Sequence, residues 1–308
     1  MRMPKAVLAW VVLGAALAPA AATTAPRIEV VFADPAALYT GYYADLQRTT
    51  VAAGQAWSSY FAGDFAATAL TVRINFASID TSSGRSLGVA FLGWGGNGMS
   101  LWEQGATHEL LSGIDGNGAL PDVEINIGIN GYLQQELWFD PDPVQRQAVV
   151  PGNRTDAVSV LLHEWGHVFG FNGWMDGGTG ALPGAYASSF DTQVELQAGA
   201  AGPWLVFGGA QAMGLYGGAV PLTFGSAVHV GNGSGSGHDG LGLLGDLMNG
   251  VGFLRGTRYA ISALDLAMLA DAGVPLLAPV PVPEPAAPAL LLAGLGLLVF
   301  AARRRDGA

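Results

Sequence analysis

The sequence predicts a mixed α/β (α+β) domain of two lobes: a twisted mixed sheet with a long buried helix, then an irregular second lobe that ends in a helix. Three observations carry this reading. Short segments near residues 27–34 and 70–77 alternate apolar and polar residues, the mark of half-buried strands. Residues 155–169 read as a long helix with a buried apolar core face. Residues 172–240 are glycine-rich and aperiodic, and a well-capped helix follows at 263–272.

Taken in order, Ile28, Val30 and Phe32 mark the first strand, and residues 36–62 carry apolar and aromatic residues at helical spacing. Leu70 to Ala77 is a strand with one wet face, and residues 86–92 and 123–129 are further strand candidates. Residues 93–122 read as a glycine-rich loop. Within it Asp115-Gly116-Asn117-Gly118 suits a plain turn better than a calcium loop. The helix over 155–169 is stopped by Gly170, a weak helix is expected near 190–197, and Ser262 with Asp265 form a capping box closed by Gly273.

The two ends read as processing signals. Arg2 and Lys5 precede an apolar run from Ala6 to Ala18 and the small residues Ala20 to Ala22, so residues 1–22 have the layout of a secretory signal peptide. Residues 26–275 are then one catalytic domain, and residues 276–285 a proline-rich linker. Residues 286–302 carry no charge and as a helix would rise about 25 Å, enough to cross a thin bilayer with the basic tail 303–308 left in the cytoplasm. Val282-Pro283-Glu284-Pro285, the apolar span and Arg303 to Arg305 together resemble the PEP-CTERM sorting signal of bacterial exosortase substrates. That resemblance implies export, transient anchoring in the inner membrane, processing by an exosortase-type enzyme, and release to the cell surface, matrix or medium.

Without the ends the charge falls to −15: five of 13 basic and one of 24 acidic residues leave, giving 8 − 23. So acidic a body argues against nucleic acid as a partner. The absence of cysteine excludes disulfides, thiolate metal sites and cysteine nucleophiles.

Residues 163–170 read His-Glu-Trp-Gly-His-Val-Phe-Gly. Positions four apart on a helix lie one above the other, so His163 and His167 can reach one zinc ion from the same side. Glu164 lies about 100° round the helix, placed to act as general base without being a ligand. Val158, Leu161, Leu162, Trp165, Val168 and Phe169 make the remaining surface a core face, on which polar side chains are costly without partners. A catalytic zinc generally takes three protein ligands.

This stretch resembles the metzincin motif, whose common form has a His or Asp where this chain has Gly173. It is more similar to the leishmanolysin-like branch, which inserts a long segment before the third histidine and places a methionine turn about ten residues later. Ser236-Gly237-His238-Asp239 and Gly245-Asp246-Leu247-Met248-Asn249-Gly250 match that order, and residues 261–273 resemble the branch's final helix. The resemblance implies a metzincin-like two-lobed zinc peptidase with His238 as third ligand, Met248 beneath the metal and Glu164 as base. His229 and Asp176 remain alternatives for the third ligand; Asp239 departs from the tryptophan often found there. A thermolysin-type site would need Glu195, the only Glu between His167 and the linker, which lacks the companion sequence. His108 reads as a surface histidine.

On this reading the chain is a secreted zinc endopeptidase that hydrolyses peptide bonds of extracellular proteins by a metal-activated water with Glu164 as base. Its ligands must be neutral imidazoles, so activity is expected to fall in acid, and a substrate is expected to pair with an edge strand of the first lobe. The alternative is a non-catalytic, zinc-containing surface or matrix binding protein, for which Glu164 would have no use.

Overall fold

The computed structural model describes residues 24–277 except 97, 200–201, 232–242 and 251. Residues 1–22, read from the sequence as a signal peptide, the span 286–302, the tail and His238 lie outside the described residues.

The first lobe is a four-stranded sheet in the order β1-β2-β6-β3, formed by β1 (Arg27–Ala33), β2 (Ala69–Ala77), β3 (Ser82–Ser86) and β6 (Val123–Gly128). Strands β1, β2 and β6 run parallel, and β3 pairs antiparallel with β6 as an edge. Ile28, Leu70, Val72, Ile74, Val123, Ile125 and Ile127 turn inward at alternate positions, so the pleat itself sorts the core from the wet face. A second small sheet holds β4 (Val89–Trp94) antiparallel to β5 (Ser100–Gln104), with β9 (Tyr186–Ser188) parallel to β5. The remaining pair in this lobe is β7 (Leu137–Trp138) with β8 (Thr155–Asp156).

Three helices belong to the same lobe: α1 (Tyr43–Ser58), α2 (Gly105–Ser112) and α3 (Ala157–Phe169). Every residue of α3 is buried. It starts at Asp156, whose carboxylate accepts from the Ser159 amide and is paired with Arg146 at 2.6 Å. Helices α1 and α3 are latched by two indoles: Trp57 Nε1 donates to Leu162 O (2.7 Å) and Trp165 Nε1 to Thr50 O (3.0 Å). Each indole thereby satisfies its single donor inside the core while its ring supplies apolar surface.

The second lobe contains the antiparallel strands β10 (Val194–Gly199), β11 (Gly202–Phe207) and β12 (Val220–Pro221), with α4 (Ala210–Tyr216) and α5 (Ala263–Asp271). Ser262 and Asp265 make the expected capping box on α5.

The mixed α/β class therefore stands, with four local corrections. Helix α1 begins at Tyr43, because the chain at residues 36–39 turns through Ala37 at φ 53°. The single strand expected over 86–92 is two, broken at Leu87-Gly88. The stretch 93–122 is no plain loop, since β5 and α2 lie in it. Residues 190–197 form a short 3-10 turn and then β10, in which Val194 is buried and Leu196 exposed.

Strand β3 lies directly on α3. A Cβ on Gly84 would stand 2.6 Å from Glu164 Cβ and 2.7 Å from Glu164 O, both fixed by the helix backbone. Gly84→Ala is expected to cost about 1–3 kcal/mol by overpacking, read as a lowered denaturation midpoint; an unchanged midpoint would show that β3 and α3 are not in this contact.

Candidate metal centre

His163 and His167 stand one turn apart on α3 with their Nε2 atoms 3.0 Å from each other. The third imidazole is that of His229, whose Nε2 lies 3.2 Å from His163 Nε2 and 3.0 Å from His167 Nε2. His229 is carried by a tight hairpin in which Thr223 N donates to His229 O, Thr223 Oγ1 donates to Val230 O, and Leu222 bridges Val230. Val230 N in turn donates to Met248 O.

The opposite ring nitrogens fix the tautomers. His163 Nδ1 lies 2.7 Å from Leu247 O and His167 Nδ1 2.6 Å from Phe171 O. A carbonyl can only accept, so both Nδ1 atoms carry the proton and both Nε2 atoms present lone pairs. His229 Nδ1 contacts Ser226 Oγ at 2.8 Å, a hydroxyl able to accept in the same way. Lone pairs crowded at about 3 Å repel unless a cation stands between them. Three nitrogens on a tetrahedral ion at 2.0–2.1 Å lie roughly 3.3–3.4 Å apart, close to the observed spacing. The donor set thus fits a divalent transition ion held by His163, His167 and His229.

Burial pushes all three imidazoles down from their ordinary value near 6.5, His167 to about 4. Neutral rings are what a metal requires.

Met248 is fully buried against α3: its sulfur sits 2.5 Å from where a Cβ on Gly166, between the two helical histidines, would stand. The segment 246–249 holds the site from two sides, Leu247 O gripping His163 and Met248 O the His229 hairpin. It is anchored by Asp246, which accepts from the Met248 amide (3.0 Å) and from Ser262 Oγ (2.8 Å) at the start of α5.

Glu164 is 4% exposed. Ser82 Oγ donates to its Oε1 at 2.6 Å and the Gly84 amide also bonds it, so β3 supplies both donors. Burial raises its pKa from 4.5, opposed by His167, Ser82 and Gly84. The triad and Glu164 open into a cleft of about 1070 Å³ lined also by β3, Tyr132, Asn249 and Phe253.

Among the described residues His229 occupies the third place beside His163 and His167, while His238, the expected third ligand, lies outside them. Asp176 turns into its own loop, accepting from the Thr179 hydroxyl (2.7 Å) and the Gly178 amide, away from the site. Glu195 stands on β10 and belongs to none of the metal-capable groups among the described residues. His108 lies on α2, not in a loop, and pairs with Glu103 at 2.6 Å. Gly173 has a steric reason for carrying no ligand: a Cβ there would meet Asp191 Oδ1 at 2.1 Å. That carboxylate is fixed by the amides of Trp174, Met175 and Ser188.

Residues 281–305 match the family model described as the PEP-CTERM protein-sorting motif. The motif implies recognition by an exosortase-type processing enzyme and marks an exported protein processed at the membrane on its way to the cell surface. No curated protein and no solved structure matches the chain significantly. No helix among the described residues is long and apolar enough to cross a membrane.

The tautomers are open to nitrogen NMR on metal-free protein. His163 and His167 are expected to be neutral with Nδ1 protonated at pH 6; since burial lowers the pKa, His167 should gain a second proton only as pH falls towards about 4. Either ring charged, or protonated at Nε2, at pH 6 would contradict the assignment.

Proposed function

We propose that this protein is an exported zinc endopeptidase of metzincin-like, leishmanolysin-like architecture, with His163, His167 and His229 as ligands and Glu164 as general base. The observation that carries the reading is Glu164: a buried carboxylate one residue from a ligand, held by Ser82 and the Gly84 amide at the mouth of the cleft. A purely structural site has no use for it.

Zinc bound by three neutral imidazoles would supply Lewis acidity, acidifying water and polarising a carbonyl. Glu164 takes the proton from the attacking water and returns it to the leaving amine. Its raised pKa brings proton affinity nearer to what that exchange needs at neutral pH. Ser82 and Gly84 hold the carboxylate in one orientation, so β3 positions the base as well as forming the cleft wall.

Strand β3 ends the sheet, and residues Asp80 to Arg85 line the cleft. Its free edge suits an extended peptide, which would add as a further strand beside the histidines by backbone hydrogen bonding. The exported location supported by the sorting motif is consistent with extracellular protein as substrate.

The resemblance to the leishmanolysin-like branch adds the long excursion between the helix and the distal histidine, the buried methionine and the closing helix. This chain departs from it in where the distal histidine sits: 19 residues before Met248 in place of about ten.

Glu164→Gln tests the reading. It is expected to keep about one zinc per chain while casein hydrolysis falls roughly 10²–10⁴-fold. Hydrolysis within tenfold of the wild type would remove Glu164 as the base, and no hydrolysis by the zinc-loaded wild type on any protein substrate would favour the binding-protein alternative.

A further inference from the structure

Away from the histidine cleft, Glu109 on α2 and Asp122 at the entry to β6 are 8% and 6% exposed, an unusual depth for two carboxylates. One oxygen from each, and one from Asp115, lie within 4.8 Å of one another. Glu109 and Asp122 line a small cavity of about 40 Å³, and no guanidinium or ammonium lines it with them. Its one basic lining residue, His108, is turned to Glu103. Like charges so placed repel and cannot all stay ionised without a counter-charge.

A second observation points the same way. Asn117 lines the same cavity; its Nδ2 donates to Pro121 O at 2.8 Å, whereas its Oδ1 is wholly buried and has no hydrogen-bond partner. A buried amide oxygen left unsatisfied costs about 1–3 kcal/mol, a cost that a cation bound in this cavity would relieve.

We infer that Glu109, Asp115, Asn117 and Asp122 form a calcium site, separate from the histidine centre, that clamps the loop 113–122 to α2 and to the start of β6.

The carboxylate oxygens, all within 4.8 Å of one another, are close enough to share one hard cation. Calcium tolerates irregular sites of six to eight oxygens, whereas magnesium demands a near-ideal octahedron and keeps several waters, so a site of protein oxygens in a loop suits calcium better. The loop is shaped for close oxygens: Asp115 Oδ1 accepts from the Asn117 and Gly118 amides, and Gly113 and Gly118 take positive φ of 73° and 65°. Asp122 keeps one oxygen on the Thr71 amide of β2 (2.6 Å), so an ion held there is tied to the central sheet. A chain without cysteine has no disulfide with which to pin such a loop outside the cell, and calcium can serve in its place.

In the absence of a cation the remedy is a proton. Burial, then Asp122 and Asp115, push Glu109 up to about 8. Proton and calcium thus compete for the same oxygens; the titratable groups facing Glu109 are Asp115 and Asp122 from the loop, with His108 and Glu103 beyond.

The test is calorimetric titration of calcium into the zinc-loaded full-length protein at pH 8, with thermal denaturation alongside. One saturable site with a dissociation constant below about 1 mM, and a denaturation midpoint raised by calcium but not by magnesium, are expected. Glu109→Gln should weaken binding at least 100-fold and Asn117→Ala, which removes no charge, about tenfold; His163→Ala should leave it intact, which separates this site from the zinc centre. Absence of saturable binding by about 10 mM calcium, binding unchanged in both Glu109→Gln and Asn117→Ala, or binding lost in His163→Ala would overturn the inference.

Discussion

The structure depends on holding polar groups on a helix that has no wet face. Helix α3 is buried along its whole length, yet carries two imidazoles and a carboxylate. Left without partners, each would cost several kcal/mol. Each is met by a fixed group from another element: Leu247 O and Phe171 O for the imidazoles, Ser82 and Gly84 for Glu164. The two lobes are therefore joined by the site's own hydrogen bonds as well as by apolar packing. The glycines explain how the elements come close enough. Gly84 lets β3 lie on the helix, Gly166 admits the Met248 sulfur, and Gly54 accommodates the Trp165 ring.

How far the sequence reveals this differs by element, for physical reasons. The pair His163 and His167 was legible because helix geometry alone puts residues four apart on one side. The core strands of the first lobe were legible from alternation, and α5 from its capping box. His229 was harder, because a distal ligand is set by tertiary folding and its spacing is free. A local signal existed: His229 lies in Ala227-Val228-His229-Val230, whose apolar neighbours can anchor it, whereas His238 follows the run Gly231 to Gly237 that offers none. The family spacing to Met248 outweighed that signal. Helix α2 hid among glycines, although Ala106 and Leu110 lie one turn apart and Gly113 closes it at positive φ. Strand β10 is hard to tell from a helix because its burial does not alternate: Val194 is buried while Leu196, two residues on, is exposed.

The terminal signal and the folded body follow separate rules. Residues 281–305 are matched as an address and carry no chemistry. The body, with a net charge of −15 once both ends are removed, holds its few cations close: Arg73 and Arg85 both bind Glu124, while Arg146 and Arg258 flank Asp156 at the N-terminus of α3. Asp156 is fully buried, so the two guanidiniums offset the cost of burying the carboxylate that caps the site helix.

The central claim is that three specific nitrogens converge on one ion. Anomalous diffraction at the zinc edge, from crystals of the zinc-loaded protein, measures this most directly. The account predicts a single peak about 2.0–2.1 Å from Nε2 of His163, His167 and His229. A zinc ion ligated by His238, or bound by only two of the three imidazoles with His229 turned away, would contradict it.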